Sequence, residues 1–278
     1  MNYFNHCNDV PYAIFYPMFF LKQLQKKTWE EVNFGPVRGW QCTEFLQYSN
    51  LKHLFTGKSN DLNLAKHEPT IFPEKSVDKN REILCKSLDI SYPALRVLPL
   101  AHSDNVFVLE NEAQELPKAD AIITHLTNIP LLVTAADCVP ILLYCPEKKI
   151  VGLVHAGWRS TALAIVEKAV IAMQENYLAR PSQIIAAIGP AVGQRNYEVS
   201  QEVADLLVKA TESDSIINSN GLKPKADLKL ANSLQLDRAG IMKIFVSELD
   251  TAAQHSLFYS HRIQGKRAGR QGLIACLV

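Results

Sequence analysis

An α+β fold, a mixed β-sheet core flanked by helices, is what this sequence predicts, and three observations carry it. Short apolar runs rich in β-branched residues recur, most clearly at 140–144 and 150–154, each bounded by Pro, Glu or Lys. Segments of helical period stand among them; the longest covers 161–177, where Ala162, Val166, Ala169, Val170, Met173 and Tyr177 share a face. The two kinds of segment are interspersed without a regular βαβ rhythm. At 278 residues and 47% hydrophobic, the chain can bury a sizeable core.

Taken in order, the first 45 residues are aromatic-rich and irregular, with a strand or two and a short helix expected near 19–27. They read as a segment of unassigned role ahead of a single domain from 46 to 278. Residues 51–56 predict a short strand. Ser76 can cap a helix that runs to about Leu88, with Val77, Leu84 and Leu88 on one face. Strands follow at 96–100, 105–109 and 121–124, and the acidic stretch 110–117 is a loop. After the helix at 161–177, Pro181 is a stop and 184–188 is a buried strand. Ser200 caps a helix through Lys209, and 212–225 is a polar surface loop. A helix at 227–239 ends on Gly240, and strand-like runs at 244–246 and 256–259 precede a basic segment, 261–270.

A net charge of +1 and a pI near 7.6 make no electrostatic case for nucleic acid or an anionic membrane, so small molecules are the expected partners. Six cysteines, at 7, 42, 85, 138, 145 and 276, are scattered without a Cys-x-x-Cys pair, which suits reduced thiols and a cytoplasmic location. No stretch reaches the ~18 apolar residues of a membrane span. The run at 13–21 is interrupted by Pro17 and lacks the basic start of a signal peptide.

The chemistry concentrates between Leu131 and Trp158. Cys138 opens the run at 140–144, and His155 directly follows the run at 150–154. If the two runs pair antiparallel through a turn at 145–149, thiol and imidazole meet at one sheet edge. His102, at the end of the 96–100 run, is a third residue of the same kind. Two imidazoles and a thiolate make a tridentate set that leaves one corner of a tetrahedral zinc open, with copper the next metal by ligand type. Asp137 and Asp104 are candidates for orienting an imidazole N–H. The residues alone leave a second reading open, a cysteine hydrolase or deamidase in which Cys138 is the nucleophile and His155 its base. The spacing by itself is also compatible with Cys138 as a small core hydrophobe.

Beyond these residues, the strings ADAIIT (119–124), TAADCVPILL (134–143), VHAGWR (154–159) and AIGPAVG (187–193), with Tyr197-Glu198-Val199 and FYSHR (258–262), resemble the YfiH family. Its members were formerly called multicopper polyphenol oxidases or laccase-domain proteins and are now regarded as purine nucleoside phosphorylases that also deaminate adenosine. The resemblance runs from about Leu51 to the C-terminus. It implies a YfiH-like fold, thought to be shared with toxin deamidases, and a metal held by His102, Cys138 and His155. It also implies phosphorolysis of adenosine, inosine, guanosine or S-methyl-5′-thioadenosine to the base and ribose 1-phosphate, dependent on the metal, for which the ligand types argue zinc. Phosphate then needs convergent cations, for which Arg159, Arg81, Lys58, Arg262 and Arg270 are candidates. Trp158 can stack on the base, and Asp137 can serve in proton transfer. The family's Thr-x-Arg-x-Gly-Gly-x-Ser loop is altered at 55–61, and Leu100 stands where the family has Gln. A copper-dependent phenol oxidase, the older label, would call for paired His-x-His motifs, and this sequence has none.

Overall fold

The computed structural model describes residues 28–59, 61–66 and 71–278, so the helix expected near 19–27 lies outside the described residues. Fourteen strands are described. They are β1 (Trp29–Phe34), β2 (Val37–Cys42), β3 (Leu51–Thr56), β4 (Arg96–Val97), β5 (Val106–Leu109), β6 (Ala121–Thr124) and β7 (Leu131–Ala135), then β8 (Val139–Cys145), β9 (Ile150–Ala156), β10 (Ile185–Ile188), β11 (Ile217–Asn218), β12 (Lys225–Ala226), β13 (Lys243–Val246) and β14 (Gln271–Leu277). The helices are α1 (Glu74–Ser87), α2 (Trp158–Ala162), α3 (Ile165–Tyr177), α4 (Gln201–Thr211), α5 (Leu228–Arg238) and α6 (His261–Gln264).

Residues that are apolar at every position need cover on both faces, and β8 and β9 have it. Ile141, Leu143 and Val154 point to one side, where Val166, Ala169, Val170 and Met173 of α3 meet them. Leu142, Tyr144, Val151 and Leu153 point to the other, against Leu131, Val133, Leu273 and Ala275 of a second sheet. The core is therefore two mixed six-stranded sheets face to face, with strand orders β1-β2-β3-β14-β7-β4 and β13-β10-β8-β9-β6-β5. Helix α1 closes the outer face of the first sheet through Val77, Leu84 and Cys85, of which the last two pack with Leu54, Leu132 and Ile274. Each such leucine or isoleucine, fully buried, contributes roughly 1.5–3 kcal/mol.

β8 and β9 pair antiparallel across the tight connection at 146–149, with Pro140 opposite His155 and Val139 opposite Ala156. This is the hairpin that the run spacing calls for. Other elements differ from expectation for identifiable reasons. The helix expected over 161–177 is two helices, broken at Ala164, whose φ is +57°. Ser160 and Thr161 of α2 are buried toward α4 and α5, whereas Val166 and Ala169 of α3 face β9 and β6, and one straight axis cannot serve both. The strand expected at 96–100 stops at Val97, because Pro99 has no N–H to extend a ladder. Helix α1 begins at Glu74, and Ser76 lies inside its first turn, donating to the Pro73 carbonyl at 2.6 Å. Residues 256 and 257 end a turn, with Leu257 and Phe258 N–H groups on the Gln254 carbonyl, and Tyr259 donates its N–H to Gln271 Oε1 at 2.8 Å rather than to a neighbouring strand. The polar loop at 212–225 carries the small β11–β12 ladder.

Strands β1 and β2 extend the first sheet alongside β3. β14 lies between β3 and β7 and makes the C-terminal run a central strand of that sheet.

His53 on β3 is 1% exposed and its Nε2 accepts from the Cys42 N–H at 3.2 Å. Burial is the main cause that lowers its pKa to about 4. Because the folded value lies below the unfolded one, the neutral ring's contribution is complete above about pH 6.5 and is lost as pH falls toward 4. Between pH 7 and pH 5 the protein should lose roughly 2 kcal/mol through this group. Urea unfolding of wild type and His53→Gln at both pH values checks this: the variant should show the smaller drop.

Candidate metal centre and active site

Three strand ends and one loop meet at the site. Cys138 immediately precedes β8 and His155 is the penultimate residue of β9. His102 arrives on the loop after β4 in a left-handed conformation, φ +54°. A ligand atom from each of these three residues lies within 4.8 Å of the other two. The two imidazole rings meet edge to face, centroids 4.9 Å apart.

The buried carboxylate of Asp120, at the entry to β6, holds this arrangement. Its Oδ1 accepts from His155 Nδ1 at 2.9 Å and from the His102 backbone N–H at 2.9 Å. Its Oδ2 accepts from the N–H of Ser103 (2.6 Å), the Ser103 hydroxyl (2.9 Å) and the N–H of Ala101 (3.3 Å). Burial alone would raise the Asp120 pKa, but His155 and the Ser103 bonds outweigh it and bring the group down to about 2. With Nδ1 committed to Asp120, His155 has Nε2 left for a metal. Burial likewise works against a charged Cys138, and the neighbouring His155 and His102 overcome it, so the thiol is pushed well down from its usual range. Gly157 completes the cradle: a Cβ there would stand 3.0 Å from Cys138 Sγ and 3.2 Å from His102 Cδ2. Thiolate plus two imidazoles, one oriented by a carboxylate, fits a tetrahedral divalent ion with one open corner.

The centre opens into a cavity of about 930 Å³. Trp158, Arg159, Arg81, Arg262 and Arg270 line it. Arg159 stacks on Trp158, its guanidinium carbon 4.3 Å from the ring centroid. Arg262 stacks on Tyr197 at 4.9 Å and donates Nη2 to the Glu198 carbonyl at 3.0 Å. Arg81 donates Nε to the Leu64 carbonyl at 2.9 Å and lies 3.8 Å from Asp78.

Three expectations need correction. Lys58 is not among the cavity-lining residues and sits over the Tyr259 ring at 5.7 Å. Asp104 pairs with Lys168 and orients no imidazole. Asp137 lines the cavity, but its oxygens accept from the Thr251 hydroxyl (2.6 Å), the Ser260 hydroxyl (3.0 Å) and the Arg262 backbone N–H (2.6 Å). It anchors the start of α6 and so places Arg262; it does not act on the histidines.

Several contributors escaped the sequence reading. Asp120 was visible only as a charged residue entering an apolar run, inside the string 119–124. Lys66 lines the cavity with no local signal that sets it apart, and His261 lines it too, marked in the sequence only by its place in the string 258–262. Asn232 and Gln235 of α5 are buried and fix α2 from beneath, donating to the Thr161 hydroxyl at 3.0 Å and the Thr161 carbonyl at 2.8 Å.

A family model described as multi-copper polyphenol oxidoreductase laccase matches residues 53–278. The chain belongs to this family. Among the described residues of this laccase-like protein, the His102–Cys138–His155 group is the single candidate metal cluster, whereas the family's descriptive name speaks of several coppers. Its relatives carry other names. A protein of Geobacillus stearothermophilus named purine nucleoside phosphorylase YlmD is 39% identical over 57% of this chain, a match that spans 60% of that relative's length. A purine nucleoside phosphorylase of Deinococcus radiodurans is 30% identical over 78% of this chain and 86% of its own. A protein named adenosine deaminase RL5, from an unknown prokaryotic organism, is 35% identical over 58% of this chain and 63% of its own. Among solved structures, Bacillus licheniformis YfiH superposes with a TM-score of 0.81 at 28% identity, covering 89% of this chain and 99% of that one.

If Asp120 sets the tautomer and pose of His155, Asp120→Asn should weaken metal binding about 10–100-fold. Competition with a chromophoric chelator measures this, with thermal unfolding as the check that the variant is folded.

Proposed function

We propose that this protein is a zinc-dependent purine nucleoside phosphorylase, acting on adenosine, inosine, guanosine or S-methyl-5′-thioadenosine, with adenosine deamination as a second activity. The observation that carries the reading is a three-donor centre opening into a cavity that also holds two arginines, Arg159 and Arg262, without a carboxylate partner among the described residues. The names of the relatives point the same way.

In phosphorolysis a phosphate oxygen bonds to C1′ of the ribose, the C1′–N9 bond breaks, and the purine leaves with the electron pair and takes up a proton. Arg159 and Arg262 are suited to the phosphate, and both are braced by aromatic rings that fix their planes. Trp158 and Tyr197 line the same space, and a ring face not covered by its arginine suits a purine. Burial holds the Tyr197 phenol above its usual range, so it stays a neutral donor for the base. Asp137 keeps Arg262 in position through the α6 backbone. His102, Cys138 and His155 would hold zinc, which when bound supplies a Lewis acid for negative charge that develops on the substrate. Asp120 keeps the His155 ring aimed throughout.

A second reading follows from the same contact. Cys138 and His155 adjoin, with the thiol's pKa lowered, as in a cysteine hydrolase dyad. Alkylation distinguishes the two: purified protein with zinc bound should resist iodoacetamide at Cys138, and a metal-free, rapidly alkylated Cys138 with hydrolytic turnover would favour the dyad.

The principal test is release of hypoxanthine from inosine. It should require inorganic phosphate, yield ribose 1-phosphate, and fall at least about 100-fold in His155→Ala together with the bound metal. Undiminished, phosphate-independent release from chelator-stripped protein would end the proposal.

A further inference from the structure

We infer that the cavity contains a second anion subsite, formed by Lys66, Arg81 and Arg270, that receives the 5′-phosphate of a purine nucleotide. The inference rests on the nucleoside reading above and extends it from nucleosides to their 5′-phosphates as ligands of the same cavity.

The first argument is charge. Five permanent cations line the cavity, namely Lys66, Arg81, Arg159, Arg262 and Arg270, and Asp137 is the single carboxylate among the described lining residues. Asp137 is already engaged by Thr251, Ser260 and the Arg262 N–H. One inorganic phosphate dianion accounts for Arg159 and Arg262. The other three cations remain, and they are gathered on one wall. The Leu64 N–H donates to the Arg270 carbonyl at 2.9 Å, and the Arg270 N–H donates to Asn63 Oδ1 at 2.8 Å. Arg81 Nε donates to the Leu64 carbonyl, and Lys66 follows two residues later. The carboxylate that meets this group is Asp78, 2.7 Å from Lys66 Nζ and 3.8 Å from Arg81. Arg270 also faces the negative charges of Asp137 and Cys138, and among the described residues the cavity as a whole still sets five cations against the carboxylates of Asp78 and Asp137.

The second argument is solvation. The Arg81 side chain is 13% exposed, and burial lowers the pKa of both Arg81 and Arg270. Arg270 spends Nη1 on the Ala268 and Gly269 carbonyls, and its Nε and Nη2 have no acceptor among the described residues. Partial burial weakens the hydration of these two cations, and a bound anion offsets that loss.

The third argument is placement. Phosphorolysis requires free phosphate at C1′, so a further anionic group must be carried by the nucleoside itself. C5′ is the exocyclic carbon of the ribose and reaches furthest from C1′. A cavity of about 930 Å³ lies at the upper end of the ~300–1,000 Å³ range of small-molecule sites and has room for the added group.

Isothermal titration of the metal-loaded protein in phosphate-free buffer tests this with inosine 5′-monophosphate against inosine. The nucleotide should bind about tenfold tighter or more. That advantage should shrink with added salt, vanish in Lys66→Met and return in Lys66→Arg. Equal affinity of the two ligands, or an advantage that survives Lys66→Met, overturns the subsite. So does an advantage lost in Arg159→Met and kept in Lys66→Met, since the nucleotide's phosphate would then occupy the place of inorganic phosphate. Failure of the phosphorylase reading is a separate result: inosine and phosphate yielding no hypoxanthine, whatever the two affinities.

Discussion

The carboxylate of Asp120 is the constraint on which the site depends. It is fully buried, and a buried carboxylate without donors would cost several kcal/mol. Its two oxygens accept five hydrogen bonds, four from the loop that carries His102 and one from the His155 ring. One charge thereby joins a loop and a strand that are distant in sequence. The left-handed backbone at His102 is tolerable because its own N–H is held by that carboxylate. Removing the charge would release the loop and the ring together.

A second buried carboxylate does the corresponding work on the opposite side. Asp137 has φ +83° and precedes Cys138, and its three donors come from the segment that runs from Thr251 to Arg262. The thiol is thus fixed between β8 and a residue pinned to α6. Arg262, one of the cavity-lining cations, is tied by its backbone to the residue beside the Cys138 sulfur. α2, which presents Trp158 and Arg159, is secured from below by Asn232 and Gln235. Side chains that line the cavity therefore stand on buried, hydrogen-bonded supports, although Asn232 Oδ1 and Gln235 Oε1 have no partner among the described residues.

The two mixed sheets explain why the centre forms where it does. β8 and β9 are covered on both faces, so their interiors can hold only apolar residues, and polar chemistry is displaced to their ends. The hairpin turn occupies one end. At the other, Cys138, His155 and the Gly157 turn lie side by side, and Gly157 leaves the space that a Cβ would fill.

The amino-acid sequence by itself determined the hairpin, the strand ends that carry Cys138 and His155, the cap at Ser200, and the family, because each is written in local period or in short motifs. It was silent on β14 as a central strand, since a seven-residue run near the chain end acquires its place only by pairing with β3 and β7. It assigned Asp137 and Asp104 to the histidines when Asp120 holds that role, because chain proximity is a poor guide to which carboxylate an imidazole meets. Only the tertiary structure decided that, and it also decided which cations share a wall. Those choices depend on strand register and loop closure, and no local propensity encodes them.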